Sequence, residues 1–240
     1  MMTLKVLGSS SKGNCYILDN GSEALMIEAG VDFRRVKKAL EYDLSRLVGC
    51  VITHEHKDHS RYVGDVLKAG VRTLALPSVF ETLKNTVFAK TIEDGKGYIL
   101  GRFKIAPFTV RHDVPCVGYL ISHPEIGRLL FATDTMSIDY SFSNLRYVMI
   151  EANYADDILQ ERIASGSVLP SMRSRLYYTH MEIGTTKRIL QSFEPTPDLV
   201  VLIHLSDGSS DENRFVDEVK AATGTMVMAA KAGMTINLGY

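Results

Sequence analysis

The chain has 240 residues, 45% of them hydrophobic, and a formal net charge of −1 at pH 7. That length supplies a sizeable core, while the near-neutral charge excludes a general attraction to nucleic acid or membrane, so any such contact must come from a local patch or from bound metal. No apolar run is long enough to span a bilayer, the first twenty residues break into Gly, Ser and Lys too early for a secretory leader, and Cys15, Cys50 and Cys116 lack C-x-x-C spacing, which argues against a disulfide framework and for a reducing cytoplasm.

Short β-like runs come first, at 3–7, 15–18 and 24–27. An amphipathic helical stretch follows over 33–42, with Arg34, Arg35, Lys37 and Lys38 on its outer face. The nearly unbroken apolar run 47–53 predicts a buried strand, and 59–69 a helix. Further strands are predicted at 71–76, 98–100, 103–110, 117–122, 128–132, 147–150 and 199–203. Helices are predicted at 155–164, 185–193 and 212–222. No linker divides the chain, which reads as one domain over 1–240. Strands dominate early and helices alternate with them throughout, an order that predicts an α/β fold of two packed sheets with helices outside.

Six of the seven histidines stand where a two-metal hydrolase needs them. The segment His54-Glu55-His56-Lys57-Asp58-His59 packs four potential ligands into six residues. In extended backbone, side chains at i and i+2 point the same way, so His54 and His56 can reach one metal. Asp58 and His59 lie where the chain turns into a helix, and can serve a second. A pair of ions roughly 3.5–4 Å apart can share a bridging hydroxide and clamp the attacking and leaving oxygens of a phosphate. Asp134, in the turn Ala132-Thr133-Asp134-Thr135, is the natural bridging carboxylate. Imidazole and carboxylate together suit Zn, Mn or Fe. His112, His180 and His204 follow singly, in turn-like or strand-end contexts, and His123 is given no function.

These motifs, taken in order, resemble those of the metallo-β-lactamase fold superfamily, and within it the YycJ-like (WalJ) group of small hydrolases. His54 to His59 matches the superfamily's H-x-H-x-D-H. Gly8 to Asn14, Met26-Ile27-Glu28-Ala29-Gly30, Arg111-His112-Asp113 with Gly118-Tyr119, Thr133-Asp134-Thr135, Pro170 to His180 and His204-Leu205-Ser206 are similar to the group's successive segments. The resemblance implies an αββα sandwich of two mixed sheets flanked by helices. It implies two divalent metals, His54, His56 and His112 holding one, Asp58, His59 and His204 the other, with Asp134 bridging. It makes His180 the acid that protonates the leaving oxygen rather than a ligand, and Asp58 the group that orients or deprotonates the nucleophile. Departures at Glu28, Tyr154 and around His180 bear on substrate preference.

The reaction expected is metal-dependent phosphodiester hydrolysis, an exonuclease-like activity on DNA ends. A small, for instance cyclic, phosphodiester is the alternative substrate. A thioesterase or lactamase is a weaker expectation, since His180 is surplus to the first and a bridging Asp134 is foreign to the second. A binding module without catalysis fits poorly with a full ligand set. Ser9, Ser10, Gly13 and Asn14 form either a plain turn or a loop approaching the metals. Arg173, Arg175, Lys187 and Arg188 read first as a solvated face, with a polyanion grip as the alternative. Cys116 reads as an inert buried thiol.

Overall fold

Alternating burial at the start of the chain sets the first sheet. Strand β1 (Met2–Gly8) buries Met2, Leu4 and Val6 and leaves Thr3, Lys5 and Leu7 half-buried, the period-2 pattern of a strand covered mainly on one face. The structure, a computed structural model, describes residues 1–239. After β1 come β2 (Cys15–Asp19), β3 (Ala24–Ile27), helix α1 (Phe33–Ala39), β4 (Leu47–Val51), α2 (Lys57–Ser60), α3 (Val63–Lys68), β5 (Thr73–Ala75) and β6 (Ala89–Thr91). The chain continues through β7 (Tyr98–Leu100), β8 (Phe103–Val110), β9 (Cys116–His123), β10 (Gly127–Ala132), β11 (Tyr147–Glu151), α4 (Asp156–Ala164), α5 (Ser171–Thr179) and α6 (Ile183–Gln191). It ends with β12 (Leu199–Ile203), α7 (Glu212–Thr223), β13 (Met226–Ala229) and β14 (Thr235–Leu238).

Two seven-stranded mixed sheets result, ordered β14-β1-β2-β3-β4-β5-β6 and β13-β12-β11-β10-β9-β8-β7. In the first, β14 to β3 pair antiparallel and β3 to β6 parallel. In the second, β7 to β10 are antiparallel and β10 to β13 parallel. A central apolar layer that includes Leu4, Leu18, Ile27, Phe103, Tyr119, Phe131 and Val201 lies between the sheets. Two outer layers bury Val36, Val63 and Val66 under one sheet, and Ile183, Leu190 and Phe215 under the other. Burial on both faces explains why β2, β3, β11 and β12 read as unbroken apolar runs rather than alternating ones. Each large side chain removed from water there contributes roughly 1.5–3 kcal/mol. This is the αββα sandwich expected. Among the described residues no helix is long and apolar enough to cross a membrane.

The expected helix over 59–69 is instead two short ones, and the break has a clear cause. A continuous helix would bond the Tyr62 N–H to the Asp58 carbonyl. Here the Asp58 carbonyl accepts from the Asn14 N–H (2.7 Å), and Tyr62 N–H donates to Ala29 O (2.9 Å). Tertiary hydrogen bonds from two other loops therefore replace the helical ladder. Strands β6, β13 and β14 and helix α5 escaped the sequence reading. α5 buries only Thr179, so it has no apolar stripe to announce it. β13 and β14 have four residues each and are defined by pairing with distant strands.

Candidate metal centre and active site

Parallel strands present their carboxyl ends at one edge of the sandwich, where α/β folds collect their ligand sites. His54, His56, Asp58 and His59 follow β4, His112 follows β8, Asp134 follows β10, Glu151 ends β11 and His204 follows β12. His180 caps α5. All nine residues therefore gather around one cleft, and seven of the eight that the sequence singled out as site residues (His56, Asp58, His112, Asp134, His180 and His204 directly, His59 against Asp58) lie on its wall or touch it. The eighth, His54, is fully buried with its ring 4.7 Å from that of His56. His123, to which no function was assigned, lies elsewhere, buried 3.0 Å from Glu23.

Each imidazole turns one nitrogen towards the scaffold and the other towards its neighbours. His54 Nδ1 lies 2.9 Å from the Thr53 hydroxyl. His112 Nδ1 lies 3.0 Å from the Thr179 carbonyl, and its Nε2 lies 3.3 Å from His56 Nδ1. His56 Nε2 lies 3.4 Å from Asp113. His59 Nδ1 lies 3.3 Å from Glu28, and its Nε2 3.3 Å from both Asp58 and Asp134. His204 Nδ1 lies 3.1 Å from Asn153 Nδ2, and its Nε2 3.4 Å from Asp58 and 3.6 Å from Asp134. Fixing the outer nitrogen sets tautomer and ring plane, the arrangement that metal-ligating histidines use.

The electrostatics divide the cluster in two. Burial, helped by neighbouring rings, pulls His54 well below the ordinary histidine range, and burial lowers His112 too. Both are therefore neutral, the form that ligates metal. Burial acts against protonation of His204 as well, yet Asp134, Asp58 and Glu151 push it up to about 10. His59 is raised for the same reason, by Asp134 and Glu28 over the opposing burial. Burial works against the charge of Asp134, but His204 and His59 hold it well below the carboxylate range. These protons sit where cations of higher charge would sit, so metal uptake would release them.

The residues fit divalent metal. His54 Nε2 is buried with no hydrogen-bond partner, an acceptor aimed at the cluster. His54, His56 and His112 offer donor atoms within 4.8 Å of one another, and so do Asp58, His59, Asp134 and His204. Asp134, Glu151, His180 and His204 form a third such group. Nitrogen and oxygen donors without sulfur suit Zn, Mn or Fe. Cys116 Sγ lies 3.6 Å from His54 Nδ1, on the side away from Nε2, and burial raises its thiol well above the ordinary range, as an inert thiol requires.

Behind the cluster, sequence reasoning took Glu28 only as a departure bearing on substrate preference and gave Glu151 no role. Glu28 is fully buried in the left-handed region, at φ 65°, and accepts from the Thr53 hydroxyl at 2.6 Å. Glu151, also fully buried, lies 2.6 Å from His180 Nδ1 and accepts from the backbone N–H groups of Thr135 and Met181. Burial lowers His180, but Glu151 more than offsets it, so the ring holds its proton above its ordinary range. A buried acid closing an apolar strand was the available signal for both, since an isolated buried carboxylate needs a partner. The loop with Ser9 and Asn14 does approach the cluster: Asn14 Nδ2 lies 3.1 Å from His59 Nε2, and Ser9 Oγ accepts from the His204 N–H. Of the basic residues near His180, Arg175 lines the cleft, while Lys187 pairs with Glu218 and Arg173 with Asp156.

Gly30 locks this arrangement. A Cβ there would stand 1.7 Å from the Asp58 carbonyl oxygen and 2.7 Å from Asn14 N. Gly30→Ala must open the junction that holds Asp58 and His59. It is expected to cost about 2–4 kcal/mol of stability and to lower bound metal, checked by thermal melting and elemental analysis. An unshifted melt with wild-type metal content would contradict this.

A family profile described as a β-lactamase superfamily domain matches residues 24–205. The chain is 25% identical over 188 residues to the exodeoxyribonuclease WalJ of Streptococcus pneumoniae, an alignment covering 71% of this chain and 68% of that protein. Among solved structures, it is similar to the metallo-β-lactamase fold protein YhfI of Bacillus subtilis, with a TM-score of 0.76, 18% identity and 98% of each chain covered. A diphosphatase of the PhnP family superposes with a TM-score of 0.69 at 17% identity, covering 99% of this chain and 98% of the other. What this chain shares with the two solved structures is the fold.

Proposed function

The chain belongs to the β-lactamase superfamily, as a hydrolase of the metallo-β-lactamase fold, and from that premise we propose that it is a binuclear phosphodiesterase acting as an exonuclease on DNA ends. The observation that carries this reading is His180, aligned by a buried Glu151 at 2.6 Å beside the ligand cluster. A thioester expels a thiolate, which leaves without such a proton donor, and a bridging Asp134 is foreign to a lactamase, whereas a phosphodiester must expel an alkoxide. The similarity to WalJ favours DNA.

His54, His56 and His112 would hold one ion, Asp58, His59 and His204 the other, and Asp134 would bridge. Bound there, Zn, Mn or Fe would neutralise phosphoryl oxygens and activate water at neutral pH. Asp58, whose carboxylate faces both His59 and His204, would orient the nucleophile or take its proton. His180 Nδ1 is committed to Glu151, so Nε2 gives a proton to the leaving oxygen. Three buried free thiols suit a reducing cytoplasm.

A small phosphodiester is the second reading, favoured by the cleft itself, which encloses only about 250 Å3. End-labelled single- and double-stranded DNA, incubated with Mn-loaded protein and with Asp58→Ala, separates the two. Cleavage is expected from the parent and a loss of at least about 100-fold in the variant. Intact DNA from a protein carrying two metals per chain, with turnover of a small diester, would sink the nuclease reading.

A further inference from the structure

Helix α5 has two working sides. Arg175 and Thr179 line the catalytic cleft, while Arg173, Ser174, Tyr177 and Tyr178 line a second groove of about 530 Å3. Tyr154 and Arg188 also line this groove. The two concavities share one helix, and Asn153, next to Tyr154, lies 3.1 Å from the cluster residue His204.

Two features of this groove need explaining. Tyr177 and Tyr178 are 57% and 64% exposed, with rings 5.2 Å apart at 89°. They add nothing to the core, and paired bare aromatics beside a catalytic cleft are a cost to solubility unless something covers them. The charges are also sorted. Asp156 is neutralised by Arg173 at 3.0 Å. Glu182 spends its carboxylate capping α6, accepting from the Gly184 and Thr185 N–H groups. Among the described residues Arg188 bonds only a neutral hydroxyl, that of Thr185, at 2.7 Å. Arg175 is exposed and forms no ion pair among the described residues. Bare aromatic faces with uncommitted guanidinium groups on either side are the ingredients of a single-strand platform, where bases stack and phosphates pair.

We infer that this groove seats the nucleosides next to the scissile phosphate of a single-stranded DNA end, with bases stacked on Tyr177 and Tyr178 and flanking phosphates on Arg175 and Arg188. The assignment rests on the phosphodiesterase reading and adds a strand preference that a closed duplex cannot satisfy, since its bases are not free to stack. It also reconciles a small cleft with a polymeric substrate: the cleft takes the phosphate and the neighbouring groove takes the strand.

The test is binding of a 5′-fluorescein phosphorothioate decathymidylate to the metal-loaded protein, read by anisotropy. Tyr177→Ala/Tyr178→Ala is expected to raise Kd about tenfold or more, and Tyr177→Phe/Tyr178→Phe, which keeps both ring faces, to stay within about twofold of the parent. A blunt duplex of the same length is expected to bind at least about tenfold more weakly. Melting temperature and metal content of each variant establish that it is folded. Parent-like affinity in the alanine variant, equal binding of duplex, or no binding by the parent each overturns the inference. Hydrolysis of bis(p-nitrophenyl) phosphate by the parent judges the phosphodiesterase reading separately, so failure of one is distinguishable from failure of the other.

Discussion

His180→Ala is expected to slow phosphodiester hydrolysis about 10²- to 10⁴-fold, the usual worth of a general acid, while metal content stays at the parental level. The geometry separates the two readouts. Glu151 holds His180 Nδ1 at 2.6 Å, and the ring stacks on His204 at 5.4 Å between centroids. It therefore sits beside the cluster, with the leaving oxygen as the natural recipient of its other nitrogen. Yet its donor atom also falls within 4.8 Å of those of Asp134, Glu151 and His204, so a ligand role makes an opposite prediction. If His180→Ala lost metal in step with activity, the acid role would be wrong. A diester with a good leaving group adds a second discriminator, because an acid matters least where the leaving oxygen needs no proton.

Glu151 sharpens the same prediction through pH. It raises the His180 pKa against the pull of burial. An acid must be protonated to act, so the rate falls as pH rises through that pKa. Neutralising the carboxylate in Glu151→Gln removes the largest raising influence and is expected to move the alkaline limb of the rate profile to lower pH. An unmoved limb would place the limiting ionisation elsewhere.

How far the sequence could be read depended on the span of each interaction. The run from His54 to His59 is dense enough to identify by itself, and β3, β8 and β12 have the bounds that their apolar patterns predicted. Interactions spanning the fold were less visible. Glu28 meets Thr53 across 25 positions, Glu151 meets His180 across 29, and Asn153 meets His204 across 51. No local spacing encodes those distances, so the layer that orients the imidazoles stayed hidden although Glu28 lay inside a quoted motif. The broken helix at Tyr62 shows the same limit, because propensity saw a helix while Asn14 and Ala29 supplied competing hydrogen bonds. Helix α5 was silent for another reason. Its side chains face solvent and a groove rather than the core, and periodicity reports only core.

The largest loss is expected from Asp134→Ala. Asp134 is 3% exposed, adopts the left-handed conformation at φ 51°, and accepts from the Thr133 hydroxyl at 2.8 Å. Its two oxygens face opposite halves of the cluster. Oδ1 lies 3.3 Å from His59 and 3.6 Å from His204, whereas Oδ2 lies 3.9 Å from His112 and 4.0 Å from His54. No other carboxylate among the described residues reaches both sets of imidazoles at these distances. Without it, no carboxylate spans the two sets of imidazoles, and two ions brought close together repel with nothing between them. Metal content is expected to fall from two per chain to one or fewer, and hydrolysis by at least about 10³-fold, as when members of one catalytic unit are removed. Asp134→Asn is the more revealing variant, since it preserves shape and the left-handed backbone while deleting charge. A fall in metal and rate close to that of alanine would assign the effect to charge. Retention of two metals at parental affinity in both variants would show that Asp134 bridges nothing and serves only to neutralise His59 and His204.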